Sequence, residues 1–178
     1  RRRPAGFEGL ARIVVGQQLS TASAGSIWSR LVAAIEPFDV ESFLSAPEKT
    51  LRAAGLSAPK IRTLRSIARA VAEGELVIES LATVPDEVIH EQLTMVPGIG
   101  PWTADIFIMF CLGRRDAFAA GDLALQVAAA GALGLERRPT PAELLEIAER
   151  WRPWRGVAAR LLWAYHPFLK KRGSAMPV

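Results

Sequence analysis

Ten residues, V-P-G-I-G-P-W-T-A-D at 96 to 105, restrict this chain more than any other stretch. They lie between DEVIHEQLTM, which has helical spacing, and the apolar run IFIMFCLG. Pro97 and Gly98 stop the first helix, because proline has no N–H and glycine tolerates positive φ. Pro101 suits the first position of a new helix, where a missing N–H costs nothing. The stretch reads as helix, glycine hairpin, helix, over about 86–112. Backbone N–H groups then gather at the start of the second helix with no side chains in front of them, which is a seat for a phosphate. A plain helix–helix connection would need only one such Pro-Gly step. Two glycines one residue apart, flanked by prolines, point to the phosphate.

Nearly every other segment has helical period, and none alternates convincingly as a strand would. FEGLARIVVGQQ places Phe7, Leu10 and Ile13 or Val14 on one face. Ser20 or Thr21 can cap a helix over ASAGSIWSRLVAAI that ends before Pro37. Asp39 can cap VESFLS, Pro47 opens EKTLRAAG, and Ser57 with Pro59 opens KIRTLRSIARAVAEG, closed by Gly74. VIESL is a short turn or helix, and the single place for a brief strand. After the hairpin pair come a loop, GRRDAFAAG, a helix from Asp122 to Gly131 or beyond, PAELLEIAERW, and WRGVAARLLWAYHPFLKK. The expected architecture is all-α: residues 1–178 as a single unit of two lobes that exchange helices.

Composition narrows the chemistry. The chain has 178 residues, half of them apolar, which is enough for a packed core. No apolar run reaches the roughly 20 residues of a membrane span, so no membrane partner is expected. The single cysteine, Cys111, excludes an internal disulfide, a cysteine-ligated zinc site and a four-cysteine iron–sulfur cluster. A net charge of +4 favours a polyanionic partner without requiring one. His90 and His166 stand too far apart to pair as metal ligands. Lys60, Arg62, Arg65 and Arg69 read as a solvated basic face, some of which could approach a nucleic-acid backbone and add salt-sensitive affinity. Asp105 reads as structural, and Asp116 as a partner of Arg114 or Arg115.

The second informative stretch is A-F-A-A-G-D-L-A-L-Q, residues 117 to 126. Gly121 ends a loop, and Asp122 stands where a helix N-cap belongs. A carboxylate near a phosphate-binding hairpin can also stabilise positive charge developing on a sugar and can orient or deprotonate water. Cleavage of an N-glycosidic bond needs both. Capping and catalysis do not exclude each other.

L-T-M-V-P-G-I-G-P-W-T-A-D followed by A-G-D-L-A-L resembles the helix–hairpin–helix and Gly-Pro-Asp signature of base-excision DNA glycosylases. It is most similar to their 3-methyladenine DNA glycosylase II branch. F-E-G-L-A-R-I-V-V-G-Q-Q-L-S, G-L-S-A-P-K-I-R-T-L and A-E-R-W-R-P-W-R-G-V-A-A-R-L-L-W agree in order, so the likeness runs from about residue 6 to residue 166. The resemblance implies a monofunctional enzyme that flips alkylated bases such as 3-methyladenine and 7-methylguanine out of double-stranded DNA and releases them. It makes Asp122 the catalytic aspartate. Trp102 falls where lyase members have a Schiff-base lysine; tryptophan has no amine, so no lyase step is expected there.

Trp102 and Trp163 match positions lining the base pocket, where indole faces attract cationic alkylated purines. Ile106 and Leu123 match pocket positions that can be tyrosine elsewhere. Trp28, Trp151 and Trp154 are assigned to structure. In the loop 16–20, Gln18 or Leu19 would fill the vacated stack, Gln17 would contact the opposite strand or support the loop, and Ser20 completes it. Gly98 and Gly100 would face a phosphate through their N–H groups, with Thr103 as a further hydroxyl donor. The carbonyls of Thr94, Val96 and Ile99 match positions that hold a monovalent cation, K⁺ or Na⁺; no cofactor is required.

The signature's Gly-Pro-Asp reads Ala-Gly-Asp at 120–122, and the β-rich N-terminal domain of some members is not expected. A monomer is expected, in a bacterial cytoplasm with the nucleoid or in a eukaryotic nucleus. Two alternatives stay open: a glycosylase for another purine lesion, and a DNA-structure-binding protein without chemistry.

Overall fold

The computed structural model describes residues 3–173, with side chains through residue 169. Among these residues every regular element is helical and no strand forms, as the all-α reading expects. The chain divides into two compact units, Arg1–Leu112 and Gly113–Val178. Each is one continuous stretch, where the sequence reading expected lobes that exchange helices.

The first unit contains α1 (Phe7–Gly16), α2 (Thr21–Ala34), α3 (Val40–Ser45), α4 (Glu48–Ala53) and α5 (Ala58–Ala72). A 3₁₀ turn (Ile78–Thr83) replaces the possible strand at VIESL, and α6 (Asp86–Met95) and α7 (Pro101–Phe107) follow. α1 is central: it packs on α2, α5 and α7, and its Leu10, Val14 and Val15 are wholly buried. Each such aliphatic side chain contributes roughly 1.5–3 kcal/mol by leaving water. α5 turns Ile61, Leu64, Ile67 and Ala68 inward at helical spacing and exposes Arg62 and Arg69, whereas the half-buried Arg65 donates to the Ala46 carbonyl. Phe7 stacks on Phe38, and Trp28 meets the same ring edge-on at 5.0 Å.

Local chemistry sets most of the helix ends. Ser20 caps α2 by accepting the Ser23 N–H, and Asp39 caps α3 by accepting that of Ser42 at 2.8 Å. Ser57 holds the N-cap position of α5 without a side-chain bond. The apolar run after the hairpin does not continue as one α-helix. α7 passes into a π-helical turn, Ile108–Leu112, that buries Cys111.

The second unit contains α8 (Leu123–Leu133), α9 (Pro141–Ala148), a 3₁₀ turn (Glu149–Trp151) and α10 (Arg155–Gly173). α8 and α10 form its main contact. They approach closely at Gly131, where a Cβ would lie 2.6 Å from a methyl of Leu169. Thr140 and Glu143 open α9 with a capping box, each side chain bonding the other's backbone N–H. α10 runs on through Pro167, so His166 lies within the helix. The proline removes one N–H from the ladder and does not end it.

Candidate active site and nucleic-acid interface

In the first unit the hairpin joins α6 to α7, and its two glycines are needed for different reasons. Gly98 takes φ of +93°, and a Cβ there would fall 2.1 Å from the Thr63 hydroxyl oxygen. Gly100 is the N-cap of α7 in extended backbone, and a Cβ there would meet nothing within 4 Å. Gly98 is thus required by the fold, whereas the bareness of Gly100 leaves the outer side of the turn open to a ligand. Val96 and Ile99 turn their side chains into the core while both glycines stay exposed. The Ile99 N–H donates to the Val96 carbonyl at 3.0 Å, and the Thr103 and Ala104 N–H groups fold back on the Gly100 carbonyl.

The carbonyls of Thr94, Val96 and Ile99 belong to the last turn of α6 and to this hairpin. Among the described residues no three His, Cys, Asp or Glu gather to hold a metal ion.

The loop after α1 is held by three side chains. Gln17 Nε2 donates to Thr103 Oγ1 at 2.8 Å. Lys60 Nζ, on α5, donates to the carbonyls of Val15 at 2.7 Å and Gln17 at 2.9 Å. Lys60 is therefore no member of a solvated face, and its burial pulls the ammonium pKa down. Thr103 is only 2% exposed, so its hydroxyl faces the loop inside the unit rather than a phosphate outside. Gln18 takes φ of +56°, a left-handed conformation uncommon away from glycine. Leu19, 40% exposed, stands beside it at the surface. The sequence reading passed over Met95, which is 77% exposed at the end of α6.

Trp102 is half-buried on the first turn of α7, and Ile106, one turn on, is buried. Asp105 is pushed up to about 7 by burial, with the His90 imidazole 3.8 Å away.

In the second unit Asp122 is the N-cap of α8. Its Oδ1 accepts the Leu125 N–H at 2.9 Å and the Trp163 indole N–H at 3.0 Å. The cap is real, and a second donor from α10 fixes the same oxygen. Trp163 is half-buried and Leu123 exposed.

The loop leading to Asp122 is pinned along its length. Asp116 accepts from the Arg155 guanidinium at 3.0 and 2.9 Å, from the Arg155 backbone N–H, and from Arg152. Its partners are thus on and before α10, not the neighbouring Arg114 or Arg115. Partial burial pulls its carboxyl up, but the Arg155 hydrogen bonds and the two cations outweigh this and hold it below the usual range. The Gly156 N–H donates to the Arg115 carbonyl at 2.8 Å, and the buried Gln126 amide donates to the Ala120 carbonyl at 2.8 Å. Of the tryptophans assigned to structure, Trp28 is buried and Trp151 meets Phe118. Trp154 is 52% exposed, with Arg115 stacked on its ring.

Comparison with known proteins gives concordant findings. The family model for HhH-GPD superfamily base excision DNA repair proteins matches residues 11–153. DNA-3-methyladenine glycosylase 1 of Schizosaccharomyces pombe is 33% identical over 165 residues, covering 88% of this chain and 71% of that protein. DNA-3-methyladenine glycosylase 2 of Escherichia coli is 30% identical over 173 residues, covering 88% of this chain and 56% of that one. The solved structure of the S. pombe 3-methyladenine DNA glycosylase in complex with abasic DNA superposes with a TM-score of 0.83 at 32% identity, covering 88% of this chain and 78% of that one.

Proposed function

Because this chain belongs to the HhH-GPD superfamily of base excision DNA repair proteins, we propose that it is a monofunctional DNA glycosylase for alkylated bases such as 3-methyladenine and 7-methylguanine. The observation that carries the reading is Asp122 Oδ1 held by both the Leu125 N–H and the Trp163 indole. A cap needs only the first of these. The second fixes a carboxylate whose orientation matters.

The hairpin grips a DNA phosphate through backbone N–H groups, with Gly100 leaving room for close approach. The 16–20 loop enters the duplex where the damaged base leaves the stack, and unstacking costs a few kcal/mol, least at damaged pairs. The Trp163 indole, whose N–H holds Asp122, offers an aromatic face that attracts the cationic base. As the bond between base and sugar C1′ breaks, its electron pair leaves with the base, which departs neutral. Asp122 stabilises the positive charge that develops on the sugar. A water then adds to C1′, Asp122 orients it and accepts its proton, and an abasic site remains. Trp102 provides no amine for a Schiff base, so the backbone is left uncut from that position. A K⁺ or Na⁺ on the Thr94, Val96 and Ile99 carbonyls would add a positive charge beside the gripped phosphate. The protein acts as a monomer where the cell keeps its DNA.

The test is base release from duplex DNA methylated at purines, by the wild type and by Asp122→Asn. Release by the wild type and loss in the variant is the expected result. Undiminished release by the variant removes Asp122 from the chemistry. No release by the wild type, with tight binding to an abasic duplex, assigns another lesion.

A further inference from the structure

The 16–20 loop and the hairpin, distant in sequence, are joined by one side-chain bond, Gln17 Nε2 to Thr103 Oγ1, spanning 86 positions. Thr103 lies on the first turn of α7, and its N–H returns to the Gly100 carbonyl of the hairpin. On the other side of the loop Lys60 holds the Gln17 carbonyl. A helix-terminal carbonyl in want of a donor explains its bond to Val15. It does not explain the bond to Gln17, which lies beyond the helix. An ammonium turned from water to neutral carbonyls loses hydration that they offset only in part.

We infer that Lys60, Gln17 and Thr103 are positioning residues that lock the 16–20 loop to the hairpin, so that both address the duplex in a single register. Gln18 at φ +56° fits this role, since a strained backbone persists only where its surroundings over-determine it. The lock leaves Gln18 and Leu19 at the surface and keeps Gln17 inward. What the loop does to DNA rests on the glycosylase reading; the lock itself does not.

Thr103→Val deletes the accepting hydroxyl at nearly constant shape, Thr103→Ser keeps it, and Lys60→Met removes the ammonium. Amide hydrogen exchange across 16–20 is measured in the free proteins, beside the thermal midpoint. Exchange there becomes roughly 10-fold faster in Thr103→Val and Lys60→Met, the order expected for losing one buried hydrogen bond, and stays near wild type in Thr103→Ser. Release of 3-methyladenine is then compared between a paired lesion and one placed opposite a mismatch, which unstacks more easily. The two loosened variants lose roughly 10-fold on the paired substrate and much less on the mismatched one. Unchanged exchange in Thr103→Val, or equal loss on both substrates, overturns the lock. If Lys60→Met fails to fold, the Thr103 pair decides alone. A wild type that releases no alkylated base refutes the functional reading, while the exchange result still decides the lock.

Discussion

The Asp122 carboxylate is oriented by two donors on different helices, and their removal separates two effects. Trp163→Phe keeps an aromatic face but loses the indole N–H bound to Asp122. Turnover in single-turnover base release should fall roughly 10-fold, in the range for a hydrogen bond to a charged group, with little change in abasic-duplex affinity. Asp105 supports a prediction of another kind. Its folded-state pKa, about 7, lies above the ordinary carboxyl value of 3.8, so the folded protein keeps a proton that the unfolded chain releases. That contribution to stability is complete below about pH 4 and is lost as pH rises through about 7. Asp105→Asn removes the dependence, so urea unfolding at pH 5 and at pH 8 should show the variant gaining on the wild type by roughly 2–3 kcal/mol.

At the scale of elements, the hairpin and the Asp122 loop are built in contrasting ways. The hairpin relies on glycine, and its two glycines give opposite phenotypes. Gly98→Ala introduces a Cβ into the Thr63 side chain at positive φ, so unfolding free energy should drop by about 2 kcal/mol or more. Gly100→Ala meets no atom and should unfold like the wild type while binding abasic duplex more weakly. The Asp122 loop is held by ions and amides instead. Arg155, whose side chain is 15% exposed, grips Asp116 from two nitrogens. Lysine cannot reproduce a two-pronged grip. Arg155→Lys should therefore lower the base-release rate more than it lowers affinity for an abasic duplex, because the loop that presents Asp122 loosens.

At the scale of the whole molecule, a net charge of +4 makes DNA binding depend on salt. The logarithm of the association constant should fall linearly with the logarithm of salt concentration. Gly100→Ala changes no charge, so it should weaken binding at every salt concentration and leave that slope unchanged. The two units divide the machinery: the hairpin and its loop belong to Arg1–Leu112, and Asp122 with its supports belongs to Gly113–Val178.

Local signals in the sequence determined the helices and many of their ends, because caps, prolines and glycines act within about one turn. Ser20, Asp39 and Thr140 each bond an N–H three residues on. The Pro-Gly spacing likewise announced the hairpin, and the position of Asp122 announced its cap. Only the tertiary structure decided which donors and acceptors meet across the chain. Lys60 looked solvated, Asp116 looked paired with its neighbours, and Thr103 looked outward. Their partners stand 43, 39 and 86 positions away, and no local pattern encodes contacts at such separations. The π turn after α7 escaped for a related reason. An apolar run satisfies any helical pitch, and the packing around Met109 and Cys111, both wholly buried, selects among them.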